Sequence, residues 1–140
     1  MSRVFWDTNL FIYLIEDYGE LSARVIELRR RMLARKDQLY TSTLTLGEVL
    51  VKPLEAENPQ LARQYQEALM RGATLVPFDA GAARQYAAIR RDRTIRPPDA
   101  IQLACAAQGH IDLFITNDER LSEKTVSGIQ FISSLQRAFL

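Results

Sequence analysis

Short apolar runs alternating with stretches of helical period set the strongest constraint on how this chain folds. Arg3-Val4-Phe5-Trp6, Leu39-Tyr40-Thr41, Thr74-Leu75-Val76 and Asp112 to Thr116 are too short for helices and suit strands. A last strand is expected at Gln130-Phe131-Ile132 and a short helix from Ser133 to Leu140. Between the strands the period changes. Leu10 to Ile15 would serve as strand or helix, and Asp7 and Thr8, good capping residues, select helix. Leu21, Val25, Leu28, Met32 and Leu33 mark one face of a helix over roughly Glu20 to Lys36. A helix from Thr43 to Val51 is expected to stop at Pro53. Asn58-Pro59 caps and opens the next, with Leu61, Tyr65, Ala68 and Leu69 inward and Gly72 just past its end. Asp79 caps another whose inner face is Ala82, Ala83, Tyr86 and Ile89. Pro97-Pro98 forces a break before a helix from about Asp99 to Gln108, which Gly109 ends. Strands alternating with helices give an α/β fold, a three-layer α/β/α sandwich around a parallel sheet.

At 140 residues without linker or internal repeat, positions 1–140 are expected to form one domain. The 47% of apolar and 25% of charged residues exclude a disordered chain. One cysteine, Cys105, excludes an internal disulfide and reads as a core thiol rather than a nucleophile. No signal peptide or membrane-length apolar run is present, so a soluble, cytoplasmic protein is expected. A net charge of +1 gives no general pull toward polyanions. The basic residues are nonetheless mostly arginines, clustered at Arg29-Arg30-Arg31, which reads as a solvated helix face, and at Arg90, Arg91, Arg93 and Arg96. The second cluster leads into the loop before Asp99 and is the candidate grip for nucleic-acid phosphates, against the alternative of solvated surface.

In open parallel sheets, ligands bind beyond the carboxyl ends of the strands. Asp7 follows the first strand, Asp118 the fourth, Asp99 opens a helix after the double proline, and Glu48 lies one turn into the helix after the second strand. Singly, each has an ordinary role, since aspartate caps helices. Together, four acids on one rim with no lysine beside any of them in sequence repel one another unless a cation neutralises them. Oxygen-only ligands suit Mg2+ or Mn2+ rather than zinc. His110, the only histidine, is expected at the surface rather than as a base.

Four segments carry a family resemblance: Val4-Phe5-Trp6-Asp7-Thr8-Asn9-Leu10-Phe11-Ile12, Thr43-Leu44-Thr45-Leu46-Gly47-Glu48-Val49, Pro98-Asp99-Ala100-Ile101-Gln102-Leu103-Ala104 and Phe114-Ile115-Thr116-Asn117-Asp118. In order and spacing the set resembles PIN-domain ribonucleases, specifically the VapC-type toxins of prokaryotic toxin–antitoxin pairs. The resemblance implies Asp7, Glu48, Asp99 and Asp118 as a catalytic, metal-holding quartet around one or two Mg2+ ions, with Thr8, Asn9 and Thr116 in support. It further implies a five-stranded parallel sheet, an RNA substrate, a homodimer, and inhibition by a small cognate antitoxin whose C-terminal segment covers the groove. After the fourth acid such proteins often carry a basic residue or an aspartate-phenylalanine pair, and here Glu119-Arg120-Leu121 follows.

Single-stranded RNA is favoured over duplex, because its backbone can splay into a narrow acidic rim. Leu10, Phe11, Tyr13 and Leu14 exceed what a thin sheet and one helix face can bury, which points to a second copy or a partner helix. The alternatives are a catalytically silent PIN-fold interaction module, disfavoured because all four acids remain, and a phosphoryl-transfer or phospho-receiver domain. A haloacid-dehalogenase pattern needs a second aspartate where Asn9 stands, and the third strand runs into Val76-Pro77-Phe78 where a receiver needs an aspartate.

Overall fold

The computed structural model describes residues 1–138. Among them five strands, β1 (Arg3–Trp6), β2 (Gln38–Ser42), β3 (Thr74–Val76), β4 (Ile111–Thr116) and β5 (Ile129–Ser134), form one parallel sheet in the order β3-β2-β1-β4-β5. The helices are α1 (Thr8–Ile15), α2 (Glu20–Arg35), α3 (Thr43–Glu55), α4 (Pro59–Gly72), α5 (Ala80–Ile89), α6 (Pro97–Gln108) and α7 (Glu119–Ser122). A 3-10 turn at Leu135–Arg137 follows β5.

Alternation along β1 explains the three layers. Phe5 points to one face, where it stacks on Phe114 of β4 at 5.1 Å and meets Leu103, Ala104 and Ala82 of α5 and α6. Val4 and Trp6 point to the other, among Leu10, Phe11, Val25, Met32 and Val49 of α1, α2 and α3. All three strand residues are fully buried, as a central strand covered on both sides requires. Side chains at Asp7, Ser42, Asn58, Asp79 and Asp118 cap the helices that follow them.

Several expectations need correction. Pro53 does not stop α3, which runs on to Glu55; in the last turn a proline forfeits one hydrogen bond, its ring is buried, and its carbonyl accepts from Asn58 N at 2.8 Å. Pro97 and Pro98 open α6 rather than precede it, because the first positions of a helix need no N–H. Leu33, Ala68 and Ala83 are exposed, one position off their helices' inner stripes. Leu10 and Phe11 lie inside the chain's own core, so they offer no surface to a second copy, while Leu14 remains exposed and Tyr13 half-buried. β5 takes in Ser133 and Ser134, the expected start of the terminal helix, and Phe139 and Leu140 lie outside the described residues. No described helix is long and apolar enough to cross a membrane.

The approach to β5 depends on Gly128, whose φ is +96°; a Cβ there would stand 2.9 Å from the Ala107 carbonyl oxygen. Gly47, on the exposed side of α3, has open space around it. Gly128→Ala is therefore expected to cost about 2 kcal/mol in urea unfolding. Gly47→Ala should instead stabilise by about 0.5–1 kcal/mol.

Candidate active site

The strand order changes direction between β1 and β4: the chain leaves β1 for β2 and β3 on one side and returns from β3 to β4 on the other. A crevice opens at such a point beyond the strand ends. Asp7 immediately follows β1 and continues the pairing, its N–H donating to Ile115 O at 3.1 Å. Its side chain caps α1, accepting from Thr8 N at 2.7 Å and from Thr116 Oγ1 at 2.9 Å. Only 8% of the residue is exposed. Burial is the main cause that pushes its carboxyl up from 3.8 to about 6; Asp99 and Glu48 add to the rise, and the bonds from Thr116 and Thr8 oppose it.

Thr116, fully buried at the end of β4, links two of the acids. Its hydroxyl donates to Asp7 and accepts from Asp118 N at 3.0 Å. Asp118 turns its own Oδ1 onto Arg120 N and Leu121 N, at 3.0 and 3.3 Å, as the cap of α7. The Arg120 Nε stands 3.9 Å from the same oxygen. Asp99, half-buried in the first turn of α6, accepts no hydrogen bond from a described residue. Burial raises its pKa first, and Asp118 and Glu48 raise it further, while Arg96 and Arg120 pull the other way.

Glu48, exposed one turn into α3, takes a hydrogen bond from Thr8 Oγ1 at 2.7 Å. Behind that contact lies a buried polar cluster. Gln102 of α6, 2% exposed, reaches Thr8 Oγ1 at 2.8 Å, Thr45 Oγ1 at 2.9 Å and Ser42 Oγ at 2.5 Å. Thr45 Oγ1 lies 3.0 Å from Thr8 Oγ1 and 2.7 Å from Thr41 Oγ1.

The structure thus brings Asp7, Glu48 and Asp99 within electrostatic reach of one another, and Asp118 within reach of Asp99. Asn9 is exposed and bonds no described side chain. Of the arginines, Arg96 approaches Asp99. Arg90 donates to Ile95 O at 2.6 Å and so braces the loop, while Arg91 and Arg93 are exposed and touch none of the acids. Sequence reasoning passed over Gln102, Thr45, Ser42 and Arg120. The signal for Gln102 was a polar residue set among Ala100, Leu103, Ala104 and Cys105, three positions beyond Asp99.

In donor chemistry the rim suits a hard divalent cation: carboxylate oxygens, two of them with raised pKa, and no thiol or imidazole. The side chains are not gathered around one point, however. Among the described residues no three acidic, histidine or cysteine side chains form a group that could hold a metal ion. Asp7 and Asp118 are turned onto backbone N–H groups and Glu48 onto a hydroxyl.

The PIN domain family model matches residues 4–126. No curated protein matches the chain. Among solved structures, VapBC2 from Rickettsia felis, bound to a DNA fragment from its promoter, superposes with a TM-score of 0.73 at 12% identity, covering 94% of this chain and 97% of that one. DNA-bound VapBC from Salmonella typhimurium gives 0.72 at 21% identity, covering 96% and 99%. FitAcB from Neisseria gonorrhoeae gives 0.66 at 17% identity, also covering 96% and 99%. These likenesses show a shared fold, and on the match over residues 4–126 this chain belongs to the PIN domain family.

Proposed function

We propose that this chain is an Mg2+- or Mn2+-dependent endoribonuclease, the VapC-type toxin of a toxin–antitoxin pair. The observation that carries the reading is the buried Asp7 carboxyl, held at the crevice with Asp99 and Glu48 close enough to raise its pKa. A fold built for stability alone would not keep three mutually repelling acids at one strand end. Asp7, Glu48, Asp99 and Asp118 are the proposed metal holders; a side-chain rotation at Asp118 would free its Oδ1 from the α7 N–H groups, and Glu48 has its Oε2 beside the Oε1 that Thr8 holds. The cation, when bound, lowers the pKa of the attacking water and offsets phosphate charge.

The chain's own residues divide the remaining tasks. Thr116 and Thr8 N orient Asp7, and the Thr8 hydroxyl orients Glu48. Asn9, exposed two positions beyond Asp7, is proposed to orient metal-bound water. Arg91, Arg93 and Arg96 are exposed, Arg96 near Asp99, and are proposed to grip phosphates of single-stranded RNA, with Arg90 holding their loop. For the antitoxin, support comes from an apolar groove of about 370 Å³ next to Glu48, lined by Ile12, Ile15, Val49, Val51, Leu61 and Tyr65. Two further superposing structures are named as a toxin–antitoxin complex, from Klebsiella pneumoniae, and as a member of the VapBC family of toxin–antitoxin systems, from Mycobacterium tuberculosis. A cytoplasmic homodimer completes the reading.

Purified protein should cut single-stranded RNA with Mg2+ or Mn2+ and lose all cleavage in EDTA; full activity in chelator would sink the metal reading. Light scattering at micromolar concentration should give a dimer, and a peptide from the neighbouring antitoxin gene should inhibit cleavage. A monodisperse monomer contradicts the first outcome, and cleavage untouched by saturating peptide the second.

The stability of the metal-free protein gives an independent check. Between 3.8 and about 6 the folded chain keeps the Asp7 proton that the unfolded chain has lost. The contribution of this group to stability is therefore greatest below that window and declines as pH rises through about 6. Asp7→Asn should abolish cleavage, yet in EDTA near neutral pH it should melt no lower than the parent, gaining up to about 2 kcal/mol. Loss of a plain helix cap would instead cost about 1 kcal/mol and spare activity.

A further inference from the structure

The hydrogens of the cluster behind Glu48 can be counted. A carboxylate only accepts, so the 2.7 Å contact takes the single hydroxyl hydrogen of Thr8. The Thr8 oxygen is left with lone pairs for its other neighbours, and Gln102 at 2.8 Å must present an N–H to it. That fixes the amide: Nε2 donates to Thr8 and Thr45, and Oε1 accepts from Ser42. The reverse orientation would set an amide oxygen against Thr8, and the hydroxyl hydrogen would turn to it and away from Glu48. Only three hydroxyl hydrogens, those of Thr41, Thr45 and Thr8, are available to the four contacts that run from Trp6 O through Thr41, Thr45 and Thr8 to Glu48, so none is spare.

Gln102 is 2% exposed on a helix whose neighbouring buried positions are apolar, where an amide is costly unless fully bonded. An apolar side chain of similar shape would pack the same space, but it would not direct a hydrogen. We propose that Gln102 is a positioning residue: by donating to Thr8 and Thr45 it commits the Thr8 hydroxyl to Glu48 and holds that carboxylate at the rim facing Asp7 and Asp99. The assignment rests on the nuclease reading above. It also gives α6 a second function, since the helix that carries Asp99 sets the orientation of Glu48 on α3 through a side chain one turn away.

A double-mutant cycle on Mn2+ affinity, measured by calorimetry with the full-length protein, tests this. Gln102→Met should weaken Mn2+ binding roughly tenfold, and lower kcat with KM for RNA unchanged. In a Glu48→Ala background the same substitution should leave Mn2+ affinity within about twofold, because the residue acts through Glu48. If Gln102→Met does not fold by melting and circular dichroism, Gln102→Glu serves in its place. It keeps the volume and the Ser42 contact but offers both threonines an acceptor; the direct pull of its charge on Mn2+ cancels in the cycle, and only what acts through Glu48 remains. An equal loss with and without Glu48, or no loss, overturns the positioning role while leaving the nuclease reading intact. A parent protein that neither binds Mn2+ nor cuts RNA overturns that reading, and this assignment with it.

Discussion

Burying a carboxylate at the end of the central strand is the constraint around which the rest of this molecule is arranged. Asp7 continues β1 through its backbone, caps α1 with one oxygen and receives the Thr116 hydroxyl on the other. Those bonds lower its pKa, but burial and two neighbouring acids outweigh them. The residue therefore has a structural role and a liability in the same place. A helix cap alone needs no burial and no acidic company, and serine or asparagine would serve as well.

The geometry spreads from that point through hydroxyls. Thr116 ties Asp7 to the backbone of Asp118, so the ends of β1 and β4 share one hydrogen-bonded joint. Thr8 ties α1 to Glu48 on α3, and Gln102 ties both to α6. Each joint lies at the seam between sheet and helix, where a backbone change of direction exposes N–H groups and carbonyls that need partners. Thr116 serves the Asp118 N–H and Thr41 the Trp6 carbonyl, while Gln102 joins hydroxyls, and none of them adds charge to a rim that already carries too much of one sign. Arg96 and Arg120, both exposed, supply positive charge that acts on Asp99.

Much of the fold was legible in the sequence because it rests on local signals: strand runs of alternating burial, and Asp7, Asn58 and Asp79 where helices begin. The acids could be expected at one rim because each follows a strand or lies near the start of a helix at the strands' carboxyl ends. What sequence did not give depends on contacts between distant segments. The short helix α7 has too few residues for a period, and only the Asp118 cap marks it. Gln102 gains meaning from Ser42, Thr45 and Thr8, which are 60, 57 and 94 positions away. The apolar excess read at Leu10 and Phe11 vanished because α1 packs its inner side against Trp6 and α2, more coverage than a single helix face on a sheet provides. Arg90 looked free to bind phosphate, and its carbonyl partner Ile95 lies in a loop with no sequence signature.

On the proposed reading, Asp7 is a buried acid whose charge the folded chain tolerates poorly until a cation joins it. Carboxyl-detected NMR titration of Asp7, without metal and then with saturating Mg2+, measures this directly. The expected result is a midpoint near 6 without metal, displaced well downward when Mg2+ is present. A midpoint near 3.8 in both conditions would contradict it.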